Sequence, residues 1–181
     1  MKNKQLLTVA DVWHRLRDWL LISGVELLKR PYAAVFKLNR EPWKLSSHDL
    51  MKFPNGSLGC ELGIFLSQQN FELMDKLEDH DVLHVLLDIE TTVKGEAMMQ
   101  WILIGNGKRS LFCLFTGVLC WLLLPELRPI LKTSFIQGKK MSSMHKWEFQ
   151  YLLREPLVVL KKMLNPSVEL KKNKNIKPFR F

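Results

Sequence analysis

The sequence predicts an all-α fold: a single-domain helical bundle with a metal-binding helix hairpin and one very apolar helix. Apolar residues recur at helical spacing along most of the chain. No pair of alternating segments joined by a tight turn argues for a strand hairpin, and no internal repeat is evident. At 181 residues and 47% hydrophobic, the chain is long enough for one real core and too apolar for disorder throughout.

Taken in order, Thr8 caps a first helix with Asp11 three residues on. Val9, Val12, Trp13, Leu16, Trp19 and Leu20 begin its broad apolar face, which continues to Leu28, and Pro31 closes it. His14 on this helix reads as a partly exposed structural residue. Residues 32–60 mix turns and short helical pieces, punctuated by Asn39, Pro42, Pro54 and Asn55-Gly56. Within them, Ser47 to Phe53 is predicted as a short helix capped by Ser46 or Ser47. Helices over Gly59 to Gln69 and Leu73 to Asp88 follow. Thr91 or Thr92 caps the next, which runs to the break at Gly105-Asn106-Gly107.

Leu111 to Leu124, LFCLFTGVLCWLLL, is almost wholly apolar. As a helix it spans about 21 Å, short of a hydrocarbon core of about 30 Å. Lys108 and Arg109 precede it, and Arg128 and Lys132 follow Pro125. A helix apolar all round must hide from water, and a core, a lipid-tail pocket or a bilayer face is expected ahead of a true span. Leu127 to Ile136 reads as a short helix and Gly138 to Ser143 as a basic loop. Trp147 to Leu153 and Leu157 to Leu164 form one helix bent at Pro156, or two. The expected organisation is one helical domain over residues 1–165 and a basic, flexible tail over 166–181.

Cys60, Cys113 and Cys120 form no CxxC pair, and the last two are too far apart along a helix for a disulfide. Buried free thiols in a reducing compartment are expected. No secretory signal is expected at the N-terminus. The net charge of +9 is unevenly placed. Glu61 to Glu96 carries nine acids against Lys76 and Lys94, a net of −7, which favours a cation there. Lys161 to Phe181 carries seven bases against Glu169, a net of +6, which suits an anionic membrane surface. No basic motif interleaved with aromatics argues for nucleic acid, which is not expected as a partner.

The chemistry concentrates between His80 and Glu96, HDVLHVLLDIETTVKGE. His80 and His84 lie four apart and Asp81 and His84 three apart, so the three share one face of a helix. Glu96 falls in the first turn of the helix capped by Thr91 or Thr92, or just beyond it. A short connection makes the two helices antiparallel neighbours and brings Glu96 opposite His84. Two imidazoles and two carboxylates at His80, Asp81, His84 and Glu96 form an N2O2 set suited to a divalent metal such as zinc. A zincin is excluded because Asp81 stands where HExxH needs its glutamate. An HD-type phosphohydrolase is excluded because no aspartate follows Asp88.

The pattern HDxxH followed after eleven residues by Glu resembles the signature of the coenzyme Q (ubiquinone) biosynthesis protein 4 family. The segment Asn55-Gly56-Ser57-Leu58-Gly59-Cys60-Glu61 looks like that family's Gly-Ser-Leu-Gly segment with a nearby Glu. The words His84-Val85-Leu86-Leu87 and Thr91-Thr92-Val93-Lys94-Gly95-Glu96 are also similar, as is the last helix from Pro156-Leu157 to Asn165. The resemblance covers roughly residues 50–165 and is strong over 80–101. Two departures stand out: Asp88 replaces a glycine usual in the family, and an acidic run, Lys76-Leu77-Glu78-Asp79, replaces a basic one.

The resemblance implies a polyprenylated benzoate or quinone-like intermediate as ligand. It implies action at ring carbon one, where a hydroxyl replaces the carboxyl group, with His80, Asp81, His84 and Glu96 holding the catalytic metal. The tail pocket is then expected among Met98 to Ile104 and Leu111 to Leu124. Implied partners are an anionic membrane surface, other quinone-biosynthesis enzymes and a second copy of the chain. The implied location is peripheral, on the cytoplasmic face in a bacterium or on the matrix side of the mitochondrial inner membrane in a eukaryote. The rival expectation is a prenyl-lipid-binding scaffold that organises other enzymes without turnover.

Overall fold

In the computed structural model, the described residues are 40–165 and, before them, Leu16, Arg17, Trp19, Leu21, Ser23 and Gly24. Those six are helical, as the apolar face predicts. Most of the first predicted helix, His14 and the basic tail over 166–181 lie outside the described residues. Among the described residues every regular element is a helix, and the single extended feature is an isolated bridge between Ser57 and Pro156.

The order is α1 Ser47–Leu50, α2 Leu58–Gln69, α3 Glu78–Leu87, α4 Val93–Gly105 and α5 Leu111–Leu123. A 3₁₀ turn Pro125–Leu127 leads into α6 Arg128–Lys140, and a second, Phe149–Leu152, precedes α7 Leu157–Leu164. Capping explains the starts. Ser46, Ser57, Thr92 and Ser110 each accept a backbone N–H of the following first turn, at α1, α2, α4 and α5. Asn70 ends α2 in the left-handed conformation at φ 55°.

Several boundaries differ from expectation, and α1, expected to reach Phe53, ends at Leu50. The metal helix begins at Glu78, not Leu73, because the chain turns first, with Lys76 at φ 66°. The expected basic loop is α-helical over Gly138–Lys140, since Gly138 is a packing residue of α6 rather than a breaker. A Cβ on Gly138 would lie 2.0 Å from the Ile102 carbonyl oxygen, and one on Gly105 would lie 2.1 Å from that of Phe135. These two glycines let the backbones of α4 and α6 touch. The C-terminal region is two elements, the second of the two expected arrangements, but the first of them is only a 3₁₀ turn over Phe149–Leu152 and not a helix from Trp147 to Leu153.

The main core joins α1 to α4 with α7 around Leu50, Leu62, Leu66, Val82, Met99 and Leu160, all nearly inaccessible. Each such side chain contributes about 1.5–3 kcal/mol over its exposed state. A smaller cluster of Leu21, Ala97, Cys120, Leu124 and Leu131 packs α5 and α6 on the other side of α4. Buried Asn106 closes the bundle. Its Nδ2 donates to the carbonyls of Gly138 and Ser142 at 3.2 and 2.9 Å, and its Oδ1 accepts from Met144 N–H at 2.9 Å. The apolar helix α5 is one-sided rather than hidden all round. Cys113, Thr116, Gly117 and Cys120 face inward, whereas Leu111, Phe115, Val118 and Leu122 are exposed.

Candidate metal centre

The hairpin of α3 and α4 builds the site. His80 and His84 stand one turn apart on α3, and Glu96 projects from the first turn of α4. Glu96 Oε1 lies 3.1 Å from His84 Nε2 and 3.3 Å from His80 Nε2, and the two Nε2 atoms are 3.4 Å apart. Ligands around a tetrahedral ion at about 2.0–2.1 Å sit about 3.3 Å from one another. The three separations therefore match one face of a zinc-sized tetrahedron, and the fourth corner is left to an exogenous ligand.

Proton placement supports the fit. His84 Nδ1 is 2.9 Å from the Ile89 carbonyl oxygen, which can only accept, so Nδ1 carries the proton. The Nε2 lone pair then points at the carboxylate, and a cation is needed to reconcile the two acceptors. Burial works against a charged His84, but the Glu96 carboxylate, the Ile89 carbonyl and Asp81 outweigh it and raise its pKa above the ordinary value. Burial likewise pushes the Glu96 carboxyl up, yet the hydrogen bonds and charges of His80 and His84 hold it well below the usual carboxylate range. The His84 side chain is 1% exposed, whereas His80 and Glu96 are 23% and 35% exposed, so the site is anchored at His84 and open toward the other two.

Of the four expected ligands, the structure thus gathers three: His80, His84 and Glu96 have ligand atoms within 4.8 Å of one another. Asp81 is not in that group; it lines the cavity onto which the three residues open. That cavity is about 520 Å³ and mostly apolar, with Phe71, Met74 and Leu77 on one side and Phe112, Thr116 and Leu119 of α5 on another. None of its lining comes from Met98 to Ile104, because those residues of α4 face the cores and α6 instead.

Sequence reasoning missed two supports of His84. Phe65 of α2 stacks on its ring, with centroids 5.8 Å apart and planes 17° apart. The Ile89 carbonyl is a backbone group, invisible to any reading of side chains. Phe65 lies within the helix predicted over Gly59 to Gln69, but nothing in the sequence showed which ring it would meet.

No protein-family model matches the chain, and no curated protein matches it. Among solved structures, the chain is similar to a "Putative ubiquinone biosynthesis protein" from the cyanobacterium Nostoc punctiforme. The TM-score is 0.54 at 19% identity, over 86% of this chain and 87% of that one. This likeness shows a shared all-α fold.

Proposed function

We propose that this chain is a metal-dependent protein of quinone biosynthesis. It binds a polyprenylated hydroxybenzoate at an anionic membrane surface and removes the carboxyl group at ring carbon one, where a hydroxyl is then installed. The observation that carries this reading is the His80–His84–Glu96 triad, with its tetrahedral spacing, opening onto an apolar cavity. The ubiquinone-biosynthesis description of the Nostoc punctiforme neighbour and the motif resemblance favour the substrate class.

His80, His84 and Glu96 hold the ion, zinc being the metal whose spacing they fit. When bound there, a divalent cation would supply positive charge that stabilises the negative charge developing as the carboxyl leaves. The bond from ring carbon one to the carboxyl carbon breaks, its electron pair stays on the ring and carbon dioxide departs. Hydroxylation at that carbon takes one oxygen atom from dioxygen; the second leaves as water, with two electrons and two protons supplied by an external two-electron reductant. Phe71, Phe112 and Leu119 seat the apolar tail and exclude water from the reacting ring. Asp81, at the cavity wall one turn from His84, is placed to hand a proton to the ring carbon or to a phenol oxygen.

The exposed face of α5, with Arg109 before it and Arg128 and Lys132 beyond its far end, is the surface proposed to meet the membrane. No single helix among the described residues is long and apolar enough to cross one. Only α5 together with Pro125–Lys140 has the length, and that pair is bent by 102°. The same exposed face supports the second reading, a scaffold that binds prenyl lipid and docks partner enzymes without turnover.

Glu96→Gln separates the two readings. It keeps the shape of the side chain but removes the charge of a ligand. Turnover of a prenylated hydroxybenzoate should fall by orders of magnitude, with lipid binding little changed. Unchanged turnover after loss of the metal would sink the catalytic reading, and no turnover in the parent with any divalent metal would favour the scaffold.

A further inference from the structure

The connection between α3 and α4 is held from both sides. On one side, the His84 carbonyl accepts the N–H of Asp88 and, at 3.1 Å, of Ile89, while the His84 ring donates from Nδ1 to the Ile89 carbonyl at 2.9 Å. On the other side lies Gly95, the residue before Glu96. A Cβ built there would stand 2.1 Å from the Glu90 carbonyl oxygen and 3.1 Å from Ile89 Cγ2. Real Cβ atoms do not approach so closely, so the first turn of α4 rests on the Glu90 peptide only because residue 95 has no side chain. The same turn is fixed to its cap, with Gly95 N–H donating to Thr92 Oγ1 at 3.1 Å.

We infer that Gly95 is a positioning residue for the metal centre: its backbone seat on the Glu90 carbonyl sets both the α3–α4 separation and the place of the Ile89 carbonyl that fixes the His84 tautomer. The inference rests on the reading of His80, His84 and Glu96 as a metal site. A methyl group at 95 must push the connection away from α4. That moves Glu96 Oε1 away from the two Nε2 atoms and draws the Ile89 acceptor off Nδ1. Groups that orient a metal-bound imidazole are worth about 10–100-fold in affinity.

The test compares zinc affinity, by competition with a chelating dye, in the parent, Gly95→Ala and Gly138→Ala. A Cβ on Gly138 would be as crowded, 2.0 Å from the Ile102 carbonyl oxygen, but that glycine supports the α4–α6 contact instead. Gly95→Ala should bind zinc about 10–100-fold more weakly per folded chain, while folded Gly138→Ala stays near the parent. Parent-like affinity in Gly95→Ala, or an equal loss in both variants, overturns the inference. Should Gly95→Ala fail to fold, imidazole ¹⁵N shifts of the parent decide: the inference requires the neutral His84 ring to carry its proton on Nδ1 and to bind zinc through Nε2, and the opposite tautomer overturns it. A parent that binds no zinc refutes the metal reading and this inference with it, whereas a parent that binds zinc beside a Gly95→Ala variant of parent-like affinity overturns this inference alone.

Discussion

His84 Nε2 stands 3.1 Å from Glu96 Oε1 while the proton on the opposite ring nitrogen is committed to the Ile89 carbonyl. Two acceptors at that distance share a cation, and either a proton or a divalent metal can fill the role. Without metal, the raised His84 pKa and lowered Glu96 pKa describe a shared proton. A metal must displace it. Because the His84 pKa is raised, zinc affinity should begin to fall at a pH above about 6.5, where an ordinary histidine would still be neutral, and keep falling as pH drops. Calorimetry in buffers of different ionisation enthalpy should show proton release on zinc binding near neutral pH, and none would contradict the shared-proton account.

The same pair sets the pH dependence of metal-free stability. His84, with its folded pKa raised, stabilises the fold fully below its unfolded value of about 6.5 and loses that contribution as pH rises through the folded value. Glu96, with its folded pKa depressed, stabilises above its unfolded value of about 4.3 and loses that contribution as pH falls toward the strongly acid range. Metal-free chain should therefore have a lower denaturant midpoint at pH about 9 than at pH about 6. His84→Ala should bind divalent metal substoichiometrically and lose this alkaline decline.

Much of the site was legible because it depends on local spacing. His80 and His84 share a face by helix geometry alone, and the Thr92 cap places Glu96 in the first turn of the next helix. The site was less legible where a backbone group or a through-space neighbour carries the function. The Ile89 carbonyl has no side-chain signature, and Phe65 differs from other inward-facing aromatics only by where α2 packs. The start of the metal helix was misplaced because Leu73 and Leu77 continue an apolar period through a turn that Lys76 makes at positive φ. Gly138 reads as a breaker, yet it serves as the flat spot where α4 crosses. In α5 every residue is apolar enough for either environment, so periodicity could not say that Leu111, Phe115 and Val118 face out.

Asn106 supplies a test of the fold that leaves the site alone. Its amide satisfies carbonyls at the end of α6 and the N–H of buried Met144. Asn106→Ala leaves these groups without their partner, at about 2–3 kcal/mol. The denaturant midpoint should fall accordingly while zinc affinity of the folded chain is unchanged, because the site lies at the other end of α4.

The proposed membrane face can be tested on side chains that carry no packing load. Phe115 and Leu122 are 55% and 61% exposed. Replacing both by Glu should leave the thermal midpoint close to the parent and reduce partitioning onto anionic vesicles by at least about 10-fold, since each buried apolar side chain is worth about 1.5–3 kcal/mol. Raising salt should weaken parent binding without abolishing it, because the basic groups are screened and apolar burial is not. Vesicle binding that vanishes at moderate salt, or that survives the double substitution, would leave α5 without a membrane role.

Asp88 offers the sharpest test of the connection that supports His84. It ends α3 in the left-handed conformation, at φ 52° and ψ 48°, where a Cβ is disfavoured and glycine is at ease. Asp tolerates the region better than most residues, and here its carboxylate also meets Lys161 Nζ of α7 at 2.5 Å. Its side chain is 76% exposed, so that ion pair is worth about 0–1 kcal/mol. Asp88→Gly removes the pair, relieves a backbone penalty of roughly 1 kcal/mol and adds freedom to the unfolded chain. The terms nearly cancel, and stability should stay within about 1 kcal/mol of the parent. Zinc affinity should not change, because the turn keeps its shape and the Ile89 carbonyl its place. Asp88→Val is the opposite case: a β-branched residue is a true outlier at positive φ and must shift the turn. It should lower the denaturant midpoint and weaken zinc binding together. Parent-like zinc affinity in Asp88→Val would mean that the connection does not position His84, and weaker binding in Asp88→Gly would mean that the carboxylate itself serves the site.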